Sequence, residues 1–419
     1  MLKLFINNGK FRTLLMYRVF NGVGSGMFSV FMMWLIHAYY QNPLYTGIAG
    51  FLFTAPGVAS FLIGPFVDHS NKVAILRVTG LVKLCVVGSL LAIAFTVEWP
   101  GVWIFHLGVL LFSISNVFGF PARVSLLPCI VTSDELIKAN TLHNIIAAIS
   151  GLGVGVLLFV MMNQDAGMRD IVLFGTSTVL FLLALFFALL TRSCESKMEN
   201  NKKASVKTYF AELAAGFFFI RQGVMLYLIT GFIIINLFVE FAAVNLPMFA
   251  EIYTGMAAGY LILVALGVAG GLLGPVFVRF LAPRFSLAKI FTIGIAAVGI
   301  TRIFFVHIID DDLSLALLIF VLSAGMSNAI SIFSQTLMQK LPPKSMLARI
   351  DTTETTLHSI AGAIGALLGG LAGLYLPRVD MVFYIQGVSY IFIAVILGMS
   401  GHIRGLPMIN DVQSRDVNE

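Results

Sequence analysis

The sequence predicts an all-α membrane protein: twelve transmembrane helices in two pseudo-symmetric six-helix bundles. Three observations carry that expectation. Of 419 residues, 59% are hydrophobic and only 11% charged, whereas soluble domains carry roughly 25% charged residues; there is too little polar surface for a water-soluble globule. The apolar residues fall into runs of the length that a bilayer demands, about 20 residues each. The third observation is an internal echo. Gly64-Pro65-Phe66-Val67-Asp68-His69-Ser70-Asn71-Lys72 closes one run and opens the next, and Gly274-Pro275-Val276-Phe277-Val278-Arg279 repeats its opening without the acid. A charged turn copied once in the second half marks a duplicated chain.

The runs lie near 13–38, 46–67, 73–97, 101–122, 141–162, 170–191, 223–247, 257–281, 286–308, 313–338, 354–376 and 382–402, numbered below as spans 1 to 12. Helices are the expected form, because lipid offers no partner to an open backbone and the alternation of a barrel is absent. Span 1 follows Lys3, Lys10 and Arg12 and continues to about Tyr40. It is too long for the apolar core of a signal peptide and is read as an uncleaved span.

Charge sorts the connections. With the N-terminus in the cytoplasm, the inner loops receive Lys72, Arg77, Arg123, Lys138, the lysines of 197–207, Arg279, Arg284, Lys289, Lys340, Lys344, Arg349 and Arg404. The outer loops receive Glu98, Asp165, Asp170, Glu251, Asp310, Asp311, Asp312 and Asp380, with Arg169 and Arg378 as the basic exceptions. Lysine and arginine favour the cytoplasmic side, so both termini are expected there, in a multi-pass protein of the cytoplasmic (inner) membrane. The lysine-rich stretch 192–208 reads as a cytoplasmic linker between bundles 1–191 and 209–405, with 406–419 as a cytoplasmic tail. Residues 209–222 read equally as an interfacial helix or as an extension of span 7.

A net charge of +6 raises the question of nucleic acid. The basic residues are spread over short loops and form no patch, so no nucleic-acid partner is expected. Cys85, Cys129 and Cys194 lack metal-ligand spacing, and neither a metal site nor a disulfide framework is read. Cys85 is expected to pack within its span. Gly22-Val23-Gly24-Ser25-Gly26 and Gly151-Leu152-Gly153 follow no strand, so they are not phosphate loops, and no cofactor is expected.

Spans 5 and 11 open alike, with Thr141-Leu142-His143-Asn144-Ile145 and Thr356-Leu357-His358-Ser359-Ile360. Small residues then recur at helical spacing: Ala147, Gly151 and Gly155 in one, Ala361, Gly365, Gly369 and Gly373 in the other. Such stripes let backbones approach closely, so both spans are expected to form contact surfaces between the halves.

Two six-span halves, a basic central linker and a charged turn after span 2 resemble the major facilitator superfamily. Its motif in that turn runs Gly-x-x-x-Asp-Arg/Lys-x-Gly-Arg/Lys. Gly64, Asp68 and Lys72 match it, while His69 and Asn71 replace a base and a glycine. Phe120-Pro121-Ala122-Arg123 through Leu127-Pro128 to Ala139-Asn140-Thr141-Leu142 is similar to the branch containing macrolide efflux proteins and the enterobactin exporter. There a Pro-Ala turn and an Ala-Asn-Ser/Thr-Leu run join spans 4 and 5. The resemblance implies that Asp68 belongs to an inner gate and pairs with Arg123 and Arg349. For Arg349 a purely topological role is weighed equally.

The resemblance also implies a cavity lined by spans 1, 4, 7 and 10. Helical spacing agrees: Arg18, Asn21, Ser25 and Phe28 share a face, as do Ser113, Asn116 and Phe120, then Asn236 and Glu240, and finally Asn328, Ser331 and Gln335. An ionisable group at a span centre costs roughly 2.5–3.5 kcal/mol on insertion scales, so Arg18, Lys83, Glu240 and Arg302 each demand a reason. Glu240 is read as the one acid well inside the apolar runs. A carboxyl kept from water exchanges protons near neutrality, which makes Glu240 the expected proton-coupling group with Arg302 as its partner. A structural Glu240–Arg302 ion pair is the alternative.

Where members of that branch carry an acid after the glycine of span 1, this chain has Ser25. Arg18 and Lys83 then favour an anionic cargo, or Lys83 is structural, since span 3 is peripheral in the superfamily. His37, His106 and His307 are read as interfacial side chains. The expected function is a monomeric secondary exporter of amphipathic small molecules, of drug or siderophore type, driven by protons. The alternatives are a lysolipid or lipid flippase, an importer of an anionic metabolite and, outside transport, a receptor or scaffold. No nucleophile elbow, paired His/Glu metal motif or nucleotide loop supports an enzyme.

Overall fold

A computed structural model describes residues 8–68, 70–96, 100–131, 166–191, 223–255, 259–342 and 346–409. Isolated positions at 142, 150–151, 153–155, 157, 160–161, 214, 218, 221 and 411 are also described. Every regular element among them is helical. Among the described residues, eleven helices are long and apolar enough to cross a bilayer. The remaining predicted run, span 5 at 141–162, lies largely outside the described residues, as do the linker 192–208 and most of 209–222.

Local chemistry explains where the helices begin. Asn42, Asn71 and Asp312 sit in extended backbone and accept hydrogen bonds from the first free N–H groups of spans 2, 3 and 10, as N-caps do. Asn8 accepts from Phe11 N while its own amide reaches Ile130 O at 3.0 Å. At the other helix ends arginine does the capping. Arg77 Nε and Nη2 donate to the carbonyls of Ala188, Leu189 and Thr191 at 3.1–3.2 Å, closing span 6.

Two predicted boundaries are corrected. Span 4 is one helix, Trp103–Ile130, that runs through Pro121 and Pro128, so the Pro-Ala segment is helix and not a turn. Each proline forfeits only one backbone bond inside a packed bundle, and Ser125 Oγ donates to Pro121 O at 2.8 Å. Span 11 begins at Leu347, earlier than the predicted 354. Asp351 and Glu354 therefore join its first turns, and Glu240 is not alone among acids within the spans.

The chain divides into two compact units: residues 1–40 with 59–206, and residues 41–58 with 207–419. Span 2 is shared between them. Pro43–Thr54 belongs to the second unit, Ser60–Asp68 to the first, and a tight 3₁₀ segment, Ala55–Ala59, holds Pro56 and Gly57 at the break.

The first unit packs Gly9–Tyr40 (span 1), Lys72–Ala94 (span 3), Trp103–Ile130 and Ala166–Leu190 (span 6) around Phe11, Leu14, Tyr17, Leu76, Leu126 and Ala188. His37 and His106 are buried rather than interfacial, whereas Cys85 is exposed rather than packed.

The second unit packs span 7 (Gly223–Ala243), Leu313–Lys340 (span 10), span 11 (Leu347–Tyr375) and span 12 (Asp380–Met399) with the interrupted spans 8 and 9. In span 12, Met381, Ile385, Val388, Phe392 and Val395 are exposed, while Val382, Phe383, Tyr390, Ile393 and Leu397 are buried. Both faces are apolar, as a helix with lipid on one side requires. Ile403, Leu406 and Ile409 join this unit's core. Leu287 N donates to Pro407 O at 2.9 Å, and Lys340 Nζ to Ile409 O at 2.7 Å. The folded bundle thus runs on past the predicted end at 405.

Candidate functional site

In the first unit the predicted span 1 face meets an unexpected centre. Lys83, on span 3, is 3% exposed and donates from Nζ to Asn21 Oδ1 at 2.9 Å and Ser25 Oγ at 3.3 Å. Its ammonium lies over the rings of Phe112 (5.1 Å) and Phe181 (5.8 Å), where a ring's negative face stabilises a cation. Among the described residues no carboxylate lies within salt-bridge distance of it. Span 3 therefore supplies an interior residue, contrary to its expected peripheral place.

Arg123, half-buried near the end of span 4, stacks on Phe120 at 5.2 Å and acts electrostatically on both Lys83 and Arg18. Its Nε has no hydrogen-bond partner among the described residues. Tyr17, hydrogen-bonded to Thr79, stands near it. Three cations thus gather in one unit.

The other predicted positions separate. Phe28 is fully buried and stacks on Phe112 at 4.1 Å, so it is a core residue of this unit and not a cavity wall. Ser113 is likewise buried. Asn116 is half-buried, and Phe120 is largely exposed. The surroundings of Gly64 and the side chain of Asp68 lie outside what is described. The expected Asp68 pairing with Arg123 and Arg349 therefore falls there too. Lys72 opens the span 3 helix, and Arg349 Nη1 approaches Met346 Sδ at 3.7 Å.

In the second unit Asn236 and Glu240 face span 11. Asn236 Nδ2 donates to His358 O at 2.8 Å. A Cβ placed on Gly362 would stand 3.2 Å from Asn236 Nδ2 and 3.3 Å from Glu240 Cγ; glycine admits both polar side chains to the seam. Further along, Asn245 Nδ2 donates to Gly369 O at 2.8 Å. The small-residue stripe of span 11 thus meets span 7, and it also meets Pro43–Thr54, where Gly47 and Gly370 touch backbone to backbone.

The expected Glu240–Arg302 partnership is not formed. Arg302 lies on another helix interface, its guanidinium 5.1 Å from the Phe320 ring and near Tyr390. Among the described residues no cation lies within salt-bridge distance of Glu240. Asn328 is exposed and leans on Gly274, where a Cβ would fall 2.2 Å from its Oδ1. Ser331 is half-buried and Gln335 exposed on the same helix.

Two further clusters account for the arginines that broke the charge rule. Arg169 Nε donates to Asp170 Oδ1 at 3.1 Å, stacks over Trp34 at 4.2 Å, and Asp170 accepts from the Tyr39 hydroxyl. Arg378 grips Asp380 at 2.9 and 3.1 Å, and its Nη2 donates to the Tyr253 hydroxyl at 3.1 Å. Each pair sits near the start of the last span of its unit, and Asp380, in the first turn of its helix, also faces the positive end of the helix dipole. The hydrogen bonds to Tyr253 and Asp380 push the Arg378 guanidinium further above its ordinary value.

The architecture is shared with transporters of known structure. A nucleoside transporter, NupG, superposes with a TM-score of 0.72 at 11% identity, covering 93% of this chain and 98% of its own. A D-xylose–proton symporter gives 0.68 at 12% identity over 95% and 98%. These likenesses concern the fold. In sequence, the uncharacterized MFS-type transporter YkuC of Bacillus subtilis (strain 168) is 24% identical over 396 residues, 87% of this chain and 86% of that protein. A second from the same organism, YjbB, is 29% identical over 167 residues, 37% and 39% of the two chains. The family model for the Major Facilitator Superfamily matches residues 9–350. The chain is a membrane transporter belonging to that superfamily.

Proposed function

We propose that the protein is a proton-coupled exporter of amphipathic small molecules, working by alternating access from the cytoplasmic membrane, and not an enzyme. One observation carries the coupling: Glu240 projects from span 7 into a seam with Asn236 and Gly362, with no cation within salt-bridge distance among the described residues. A carboxylate costs too much there to be kept as packing, and a carboxyl that alternates between charged and neutral forms accounts for it. The fold neighbours include a D-xylose–proton symporter and proton-dependent oligopeptide transporters, in keeping with a proton drive. Outward transport rests on the likeness of 120–142 to the macrolide-efflux and enterobactin-exporter branch. Drug- or siderophore-type cargo rests on the same likeness.

Comparing metabolites in the medium of a deletion strain and its parent names the cargo. With it in hand, Glu240→Gln is expected to abolish transport driven by a pH gradient while the purified protein stays folded. Undiminished coupled transport would reject the coupling role. A second reading is favoured by the Arg18, Lys83 and Arg123 group, which has no described carboxylate among its partners. It is an anionic cargo, as for a lysolipid flippase or an importer of an anionic metabolite, and uptake of headgroup-labelled lysolipid separates it from the first.

A further inference from the structure

We propose that Glu354 and His358 on span 11, preceded by Asp351, form the path by which a proton reaches Glu240; the inference rests on the reading of Glu240 as the exchanging group. Positions 351, 354 and 358 recur at helical spacing and share one face of Leu347–Tyr375. Burial separates the first of these positions from the other two. Asp351 is exposed, whereas the side chains of Glu354 and His358 are 24% and 31% exposed.

Glu354 Oε1 stands 3.8 Å from His358 Nε2, beyond a hydrogen bond but within reach of a small side-chain rotation. That Nε2 is buried and has no hydrogen-bond partner among the described residues. Asn236 fixes the other side of the junction by holding the His358 carbonyl at 2.8 Å. Glu240 lies one turn further along span 7 and Gly362 one turn further along span 11, and the two meet. His358 and Gly362 thus occupy successive turns of the span 11 face that meets Asn236 and Glu240.

A purely structural role explains this set poorly. An acid in the first turn of a helix favours its dipole, but span 11 has no acid in its first turn, so the dipole accounts neither for Asp351 nor for the Glu–His pair further in. No cation within salt-bridge distance neutralises Asp351 or Glu354 among the described residues, other than His358 itself. The packed neighbours are poor in charge. Span 7 brings Tyr227 and Glu240, Pro43–Thr54 brings only Tyr45, and span 12 brings Asp380, Tyr384 and Tyr390. Span 11 itself adds Arg349 before Asp351 and Tyr375 at its far end.

The transfer balances. Glu354 gives its proton to His358 Nε2, forming an imidazolium and a carboxylate. The imidazolium gives its Nδ1 proton to the Glu240 carboxylate, and rotation of the neutral ring resets it.

The test is infrared spectroscopy on the purified full-length protein in liposomes, with a rapid pH jump as the probe. Glu240→Gln identifies the Glu240 carboxyl band by removing it. In Glu354→Gln and in His358→Ala that band is expected at equilibrium but to form more slowly after the jump, by about a hundredfold. Added imidazole is expected to restore the rate in His358→Ala, which a merely structural histidine would not allow. Should His358→Ala not fold, His358→Asn takes its place. Unchanged rates in both variants overturn the path while leaving Glu240 as the exchanging group. Failure of Glu240→Gln to remove any band overturns both readings.

Discussion

Gly47→Ala adds a single methyl group where two backbones touch. The new Cβ would lie 2.7 Å from Gly370 Cα, 2.9 Å from Ala366 O and 3.1 Å from Gly370 N. None of these atoms can turn aside as a side-chain tip would. The helices must part by roughly 0.7 Å before the closest contact reaches the 3.4 Å of ordinary van der Waals packing. Overpacking of this kind costs about 1–3 kcal/mol, offset by up to about 1 kcal/mol from alanine's better helix propensity. A net loss of about 1–2 kcal/mol is expected, a five- to thirtyfold fall in the folded-to-unfolded ratio. Gly88→Ala is the internal control, since a Cβ there meets nothing within 4 Å, and it should be neutral or stabilising. Denaturant titration of the purified protein in mixed micelles measures both. If Gly47→Ala proves as harmless as Gly88→Ala, the close crossing of Pro43–Thr54 over span 11 is not a feature of the folded protein.

Lys83→Ala strands the buried Asn21 oxygen and should cost about 1–3 kcal/mol in the same titration, with Lys83→Gln recovering part of it; equal losses would mean that the hydrogen bonds do not matter. The raised Arg378 value sets a sign for pH: its contribution is complete below the unfolded arginine value and is lost only as pH climbs through the still higher folded one. The difference in stability between the parent and Arg378→Gln should therefore hold steady from neutral to mildly alkaline pH, and a difference that shrinks there refutes the assignment. Leu406→Ala should cost about 2–5 kcal/mol, because Leu406 completes the second unit's core; a value near zero would return it to a loose tail.

The spans were legible because lipid imposes one rule, length and apolarity, on every crossing helix. Their ends were less so. Arg349 and Asp351 lower local hydropathy, and a reading that seeks apolar runs begins beyond them, at Glu354, although the helix itself starts at Leu347. Pro121 looked like punctuation, but a packed helix tolerates the single bond it removes. The polar faces were only half legible. Helical spacing put Asn21 and Ser25 together correctly with Phe28, yet could not tell a cavity wall from a core, since Phe28 is buried against Phe112. Lys83 stood out as a charge inside an apolar run, but only packing reveals that it points at span 1. Arg302 and Glu240 matched in depth along their helices, and depth alone says nothing of azimuth.

The anchoring of Ile403, Leu406 and Ile409 bears on how the protein is made. Helical domains commonly assemble in the order of synthesis, yet the second unit's core is completed only by residues that follow its last span. Until they emerge, the apolar surface around Leu287 and Leu337 has no cover, and the half-built bundle is exposed to chaperones and proteases. A chain cut short before Ile403 would thus be felt as failed maturation, long before any question of transport arose.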